Sequence, residues 1–266
     1  MYNEISLTAL CASLCEIMGV DAPINSNPCN KEFVEKIKTL LDGKNADRIV
    51  MYNPDAIGQW VYQKYPKLVE EVNVRNDTSL PMKTVMPSVT PVCFGTMYTG
   101  AEPCVHGIQA YVKPVIKIDT IFDALIRAGK KPVILSTKNA SLGKIFLERD
   151  MDYFICSNVE EVNAKAVEII LEDKYDFIVI YNGNYDATMH KFGPESIEAL
   201  GELKANSRTF GMISEIINSK WNNHNTLLGF AIDHGCHEID GGCGSHGLDM
   251  EEDLNIMHQY KVFKAK

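Results

Sequence analysis

The sequence predicts a doubly wound α/β fold, a mostly parallel central sheet with helices on both faces and no large cap domain. Three observations carry this. Short β-type runs alternate with helix-type runs, several of those β runs are apolar throughout, and 266 residues at 45% hydrophobic and 23% charged suffice for a sizeable core. A strand reads as a continuous apolar run when helices cover both faces of a parallel sheet.

Taken in order, "DRIVMYN" (47–53) is a strand, followed by "PDAIGQWVYQKY" with Pro54 at a helix start. "IDTIFDALIRAG" (118–129) has apolar residues at helical spacing and ends on Gly129. "KPVILST" (131–137) is a strand, "NASLGKIFLERD" a helix, and "DYFICS" (152–157) a strand. "NVEEVNAKAVEIILEDK" opens on an Asn cap with Glu in its first turn, so it is a helix. "YDFIVIYN" (175–182) is a buried strand, "PESIEALGELKANSRTFGMISEIINSKW" a long helix, and "TLLGFAID" (226–233) the last strong strand. Residues 19–45 and 66–89 fit the alternation less well. The second stretch is a long connection, and such connections are often functional. With no repeat and no composition break, residues 1–266 read as a single domain with an N-terminal helical segment, about residues 1–45, packed on it. That N-terminus, "MYNEISLTALCASLCEIMGVDAP", lacks a basic leader and is interrupted by Glu16, which makes it an amphipathic helix rather than an export signal.

The formal charge of −9 argues against binding to nucleic-acid polymers or membrane surfaces, both of which need a basic face. A small anionic substrate is still allowed, because bound cations reverse the local field. No stretch approaches the roughly 18 apolar residues of a membrane span. Eight cysteines without a C-x-x-C, in a chain too large to need disulfide staples, point to free thiols and a reduced, cytoplasmic setting.

Ligands of doubly wound domains sit beyond the carboxyl ends of the strands, and acidic residues and histidines collect there. Strand 47–53 runs into Asp55, and strand 175–182 into Asp186 and His190. Strand 226–232 delivers Asp233 and His234, and "GGCGSHG" adds His246. A D-x-x-x-H spacing alone is equally consistent with a helix cap. Three carboxylates at one sheet edge, however, must repel or protonate unless divalent cations join them. Asp and His donors without ordered Cys pairs fit zinc, with manganese or iron as alternatives. In "MPSVTPVCFGTMYTGAEPCVHGI" (86–108), Thr90 precedes Pro91 and opens a helix running to Gly100. A hydroxyl there faces the positive dipole end and free amides, and a metal beside it would lower its pKa.

With "PSVTPVCFGTMYTG…HGI", "YDATMHKFGPES", "DHGCHE" and "GSHG" in this order, the chain resembles the alkaline phosphatase superfamily over about residues 46 to 248, especially its phosphodiesterase/nucleotide pyrophosphatase branch. The resemblance implies a metal-dependent hydrolase of phosphate esters with Thr90 as nucleophile and a phosphothreonine intermediate. It implies Asp186, His190 and His246 as ligands of one zinc and Asp55, Asp233 and His234 as ligands of the other. Cys93 and Tyr111 stand where the family carries substrate-contacting asparagines, which opens the alternative of a non-catalytic metal-binding relative. A phosphotransferase or mutase lacks its cap here, a phosphonate hydrolase stays open, and the C/S-x-P-x-R of a sulfatase is absent. A small phosphate ester is the implied partner. The segment "LTALCASLCEIMGVDAP" resembles an element that superfamily members carry near the other end of the chain, which implies packing beside the site. Among the remaining candidates, His106 is expected to support the fold. His237 is a supporting residue, a spare ligand or an exposed one, and Cys236 and Cys243 are idle thiols or further ligands.

Overall fold

The structure, a computed structural model, describes residues 1–266. Eight of its strands form one sheet. They are β1 (Ile5–Ser6), β2 (Arg48–Pro54), β3 (Thr78–Lys83), β4 (Pro132–Thr137), β5 (Asp152–Cys156), β6 (Phe177–Asn182), β7 (Thr226–Phe230) and, after a small hairpin of β8 (His237–Ile239) and β9 (Cys243–Ser245), β10 (Asn255–Phe263). The order across the sheet is β1-β3-β10-β7-β2-β6-β4-β5. Every pairing is parallel except the two made by β10, so one reversed strand joins β3 to the rest.

The helices are α1 (Ala9–Met18), α2 (Lys31–Leu40), α3 (Gln59–Lys64), α4 (Glu70–Asn73), α5 (Thr90–Thr99), α6 (Pro103–His106), α7 (Ile121–Arg127), α8 (Ser141–Ile145), α9 (Val159–Glu172), α10 (Asn184–Phe192), α11 (Ile197–Lys220) and α12 (Glu251–Leu254). α1, α2, α5, α6, α7 and α8 pack together, and α9, α10, α11 and α4 form a second group. This is the mostly parallel sheet with helices around it that the alternating runs predict.

The central strands β2, β6 and β7 are buried at Ile49–Pro54, Phe177–Asn182 and Thr226–Phe230. At about 1.5–3 kcal/mol for each large apolar side chain removed from water, they supply much of the driving force for folding. Helix starts follow the expected chemistry. Asn158 Oδ1 accepts from the Glu161 amide at 2.8 Å, Ser196 Oγ from Ala199 at 3.1 Å, and Thr120 with Asp123 forms a reciprocal capping box.

Several expectations need correction. Pro54 ends β2 instead of opening a helix; the helix starts at Gln59, because Asp55 and Ala56 first give their amides to Asn182 O and Asp233 Oδ1. The helix expected from "NASLGKIFLERD" is only Ser141–Ile145. α1 is not amphipathic: eight of its ten residues are buried, and the Cys11 thiol donates to Tyr98 O on α5. The two poorly fitting stretches contain α2 and, in 66–89, α4 and β3. The longest strand of the sheet, β10, lies beyond what had read as the last one.

Candidate active site

Strands β7, β2 and β6 are neighbours, and their carboxyl ends deliver Asp233 and His234, Asp55, and the helix bearing Asp186 and His190 to one edge. Two three-residue groups result, Asp55 with Asp233 and His234, and Asp186 with His190 and His246. Within each group the ligand-type atoms all lie within 4.8 Å of one another. The groups adjoin, with the His234 and His246 ring centroids 4.1 Å apart. Asp55, Asp233 and His234 are fully buried.

Each imidazole is oriented from behind. Nδ1 of His190 donates to Gly244 O at 3.0 Å, that of His246 to Ser88 O at 2.9 Å, and that of His234 to Gly235 O at 2.9 Å. These tautomers point every Nε2 lone pair at the carboxylates, as metal-ligating histidines require. The Nε2 atoms of His190 and His246 then face each other at 3.1 Å, with Asp186 Oδ1 3.3 and 3.4 Å away. Such a convergence of lone pairs is repulsive unless a proton or a cation stands among them. In addition, Asp55 Oδ1, Asp186 Oδ1 and Asp233 Oδ2 are buried without a hydrogen-bond donor. One orphaned oxygen on each of three clustered carboxylates fits a divalent-cation site.

Thr90 stands at the start of α5, which extends β3 through Thr84, whose hydroxyl donates to Asp233 O at 2.6 Å. Its Oγ1 lies 3.3 Å from His234 Nε2 and 3.4 Å from Asp55 Oδ2. The expected row of free amides shrinks in the structure. Those of Val92 and Cys93 both bond to Val89 O and Pro91 has none, leaving only Thr90's own N–H.

Cys93 is fully buried, with its thiol against Thr84 and Val85, so it underlies the site and does not face solvent. Tyr111 lines an open cleft of ≈ 560 Å³ together with Tyr181, Asn184, Asp186, Lys113 and Lys138. A larger cavity of ≈ 730 Å³ near Asp119 and Arg149 contains none of these residues. His106 supports the fold: it pairs with Thr96 Oγ1 at 3.1 Å, and burial lowers its pKa to about 4. His237 donates to the buried Asp253, whose other oxygen holds the Leu248 amide at 2.8 Å. Cys236 and Cys243 belong to neither donor group. Sequence reasoning passed over Tyr181, whose hydroxyl donates to Asp55 Oδ2 at 2.5 Å, and Ala56, whose amide holds Asp233 Oδ1 at 3.2 Å. Tyr181 gave no signal because it reads as one more apolar strand residue. Ala56 gave none because a positive φ of 64° in a non-glycine residue is invisible in sequence.

Burial, and then the Asp186 charge, push the Asp55 carboxyl up to about 7. Burial and Asp55 push Asp233 well above the usual carboxylate range. Asp186 is held low: burial opposes this, but the facing His190 and His246 imidazoles prevail. In return Asp186 raises His190 and, against its burial, His246. Burial lowers His234 to about 3.

A folded pKa above the unfolded one gives stability that is complete below the unfolded value and lost as pH rises through the folded one. Asp55, Asp233, His190 and His246 share that sign. His234 has the opposite sign, but its contribution is complete above the unfolded histidine value of about 6.5. Chelator-treated protein is therefore expected to lose stability between about pH 6.5 and 8.5, by roughly 1 kcal/mol from Asp55 alone, with zinc removing the loss. Urea titrations at both pH values, with and without zinc, check this, and a rising profile in chelator contradicts it.

Local backbone fixes the site as tightly as side chains do. A Cβ on Gly235 would lie 1.9 Å from Glu252 O and 3.0 Å from Gly58 Cα, so no side chain fits next to His234. Gly235→Ala is expected to lower stability by about 3 kcal/mol, read as a reduced urea midpoint.

No family model matches the chain. It is 34% identical over 102 residues to venom phosphodiesterase CdcPDE of Crotalus durissus collilineatus, 38% of this chain and 12% of that protein. It is 36% identical over 84 residues to the venom phosphodiesterase of Macrovipera lebetinus, 31% of this chain and 10% of that protein. The chain thus corresponds to a small part of these relatives. Among solved structures, murine ectonucleotide pyrophosphatase/phosphodiesterase 5 aligns with a TM-score of 0.59 at 17% identity, over 73% of this chain and 58% of that one. Phosphonoacetate hydrolase from Sinorhizobium meliloti 1021 aligns with a TM-score of 0.56 at 16% identity, over 76% and 61%. These likenesses show a shared alkaline phosphatase-like fold with the murine and Sinorhizobium proteins and a local sequence similarity to venom phosphodiesterases.

Proposed function

We propose that this protein is a metal-dependent hydrolase of phosphate esters with Thr90 as its nucleophile. The observation that carries the reading is the set of three orphaned carboxylate oxygens and converging imidazoles beside one threonine hydroxyl. Asp186, His190 and His246 would hold one cation and Asp55, Asp233 and His234 the other. The donor set of carboxylates and imidazole Nε2 atoms suits zinc. Cations bound there neutralise the carboxylates, acidify the Thr90 hydroxyl and offset charge on the reacting phosphate.

The chain's own groups do the rest. The Thr90 hydroxyl has Asp55 Oδ2 at 3.4 Å as a proton acceptor, and its amide and the α5 dipole face an equatorial phosphate oxygen. In-line attack by Oγ1 on phosphorus forms the phosphothreonine and releases the alcohol. Water entering from the vacated side then cleaves the P–O bond and restores the hydroxyl. The Tyr111 cleft receives one ester substituent; its open, polar lining suits a small diester, a nucleotide or a monoester. The relatives support this range, since murine ectonucleotide pyrophosphatase/phosphodiesterase 5 has been solved, as an inactive variant, with AMP.

The test is a panel of p-nitrophenyl phosphate, bis(p-nitrophenyl) phosphate and a p-nitrophenyl phosphonate, assayed with added zinc or manganese. Release of p-nitrophenol from at least one, abolished by chelator and restored by metal, is expected. Failure to turn over any of the three rejects the reading.

A further inference from the structure

The three buried carboxylates of the site share a pattern that points to a residue outside the ligand set. Asp233 has one oxygen clamped by the Ala56 amide and the other orphaned. Asp55 repeats this, with Oδ2 clamped by the Tyr181 hydroxyl at 2.5 Å and Oδ1 orphaned, 3.4 Å from His234 Nε2. The hydroxyl of Tyr181 is the only tyrosine hydroxyl that reaches a member of either donor group.

On the reading of the centre given above, we propose that Tyr181 is a positioning residue that fixes which oxygen Asp55 presents to its cation. By occupying Oδ2, the phenol turns Oδ1 toward the point shared with Asp233 Oδ2 and His234 Nε2. It also keeps Oδ2 at the Thr90 hydroxyl, 3.4 Å away. One donor thereby sets both the ligand geometry and the proton acceptor of the nucleophile.

Tyr181 is built to hold this pose. It is the fifth residue of β6, in register with Asn53, and 7% exposed. Its ring meets Phe94 of the nucleophile helix edge-on, with centroids 5.7 Å apart. Gly183 makes room for the hydroxyl, since a Cβ there would lie 2.6 Å from the phenol oxygen. An oriented group behind a ligand is typically worth 10–100-fold in metal affinity.

The experiment is a cobalt and zinc titration of the full chain by calorimetry, with a competing chelator, on wild type, Tyr181→Phe and Gly183→Ala. Cobalt absorption reports the geometry of each site. Tyr181→Phe keeps the ring and removes only the donor. It is expected to bind one of two cations about 10–100-fold more weakly, with an altered cobalt spectrum and the other cation bound normally. Gly183→Ala keeps the hydroxyl but displaces it, and is expected to show the same selective loss. Two cations bound with wild-type affinity by Tyr181→Phe overturns the proposal. If that variant does not fold by circular dichroism, wild-type binding in Gly183→Ala overturns it by the same criterion. A wild-type chain that takes up no cation rejects the underlying metal centre instead, so the two failures are distinct.

Discussion

Replacing Thr90 by alanine is expected to lower kcat/KM for a phosphate ester by about 10⁴-fold or more, with metal content unchanged. The direction follows from what the hydroxyl does in the proposed chemistry, as the atom that bonds to phosphorus, whereas the alanine side chain has no atom to offer. The size follows from nucleophile deletions elsewhere, where the residual rate comes from binding and electrostatics alone. Metal should stay because Thr90 Oγ1 belongs to neither donor group, and Asp55, Asp233 and His234 keep their other contacts. Thr90→Ser preserves the oxygen on a less restricted side chain, so a loss well short of that of alanine is expected. Steady-state kinetics with metal analysis reads both. If Thr90→Ala turns over at the wild-type rate, catalysis through this residue is wrong, whatever the metals do.

The second large effect is expected from Asp233→Asn combined with His234→Ala. Together these remove two of three donors from the fully buried group while leaving Asp186, His190 and His246 intact. On the proposed two-cation centre, metal content should fall from two ions per chain to one, and turnover by about 10³-fold, since each cation is asked for several kcal/mol of charge stabilisation. Wild-type occupancy in this variant would refute the ligand assignment.

Much of the frame was legible because the central strands are buried on both faces, and that burial writes itself into sequence as unbroken apolar runs. β10 was not. It contains His258 and Gln259, both buried, and these polar residues are acceptable only because Ile232 O and Ser79 meet them, which no local pattern reveals. β3 was hidden by Pro81 and by alternating exposure, which suits a strand that β1 covers only at Met82 and Lys83. α1 read as amphipathic because Glu16 interrupts it. The small Ala12, Ser13 and Cys15 nevertheless let its remaining faces pack closely.

At the site, the six donors could be read from their order along the chain, because strand ends are where a parallel sheet exposes polar groups. The clamps behind them could not. Tyr181 and Ala56 act through a hydroxyl direction and a backbone amide, and both depend on register between strands far apart in sequence.

The reversed strand has a consequence for biosynthesis. Thr90 hangs from β3, while Asp55, Asp186 and Asp233 hang from β2, β6 and β7, and β10 alone bridges the two parts of the sheet. Residues 255–263 leave the ribosome after all six donors and the threonine. Pairings so distant in sequence close late. On the proposed assignment, a nascent chain can therefore gather the six donor residues before β10 ties β3, and with it the strand that leads to Thr90, into the sheet beside β7.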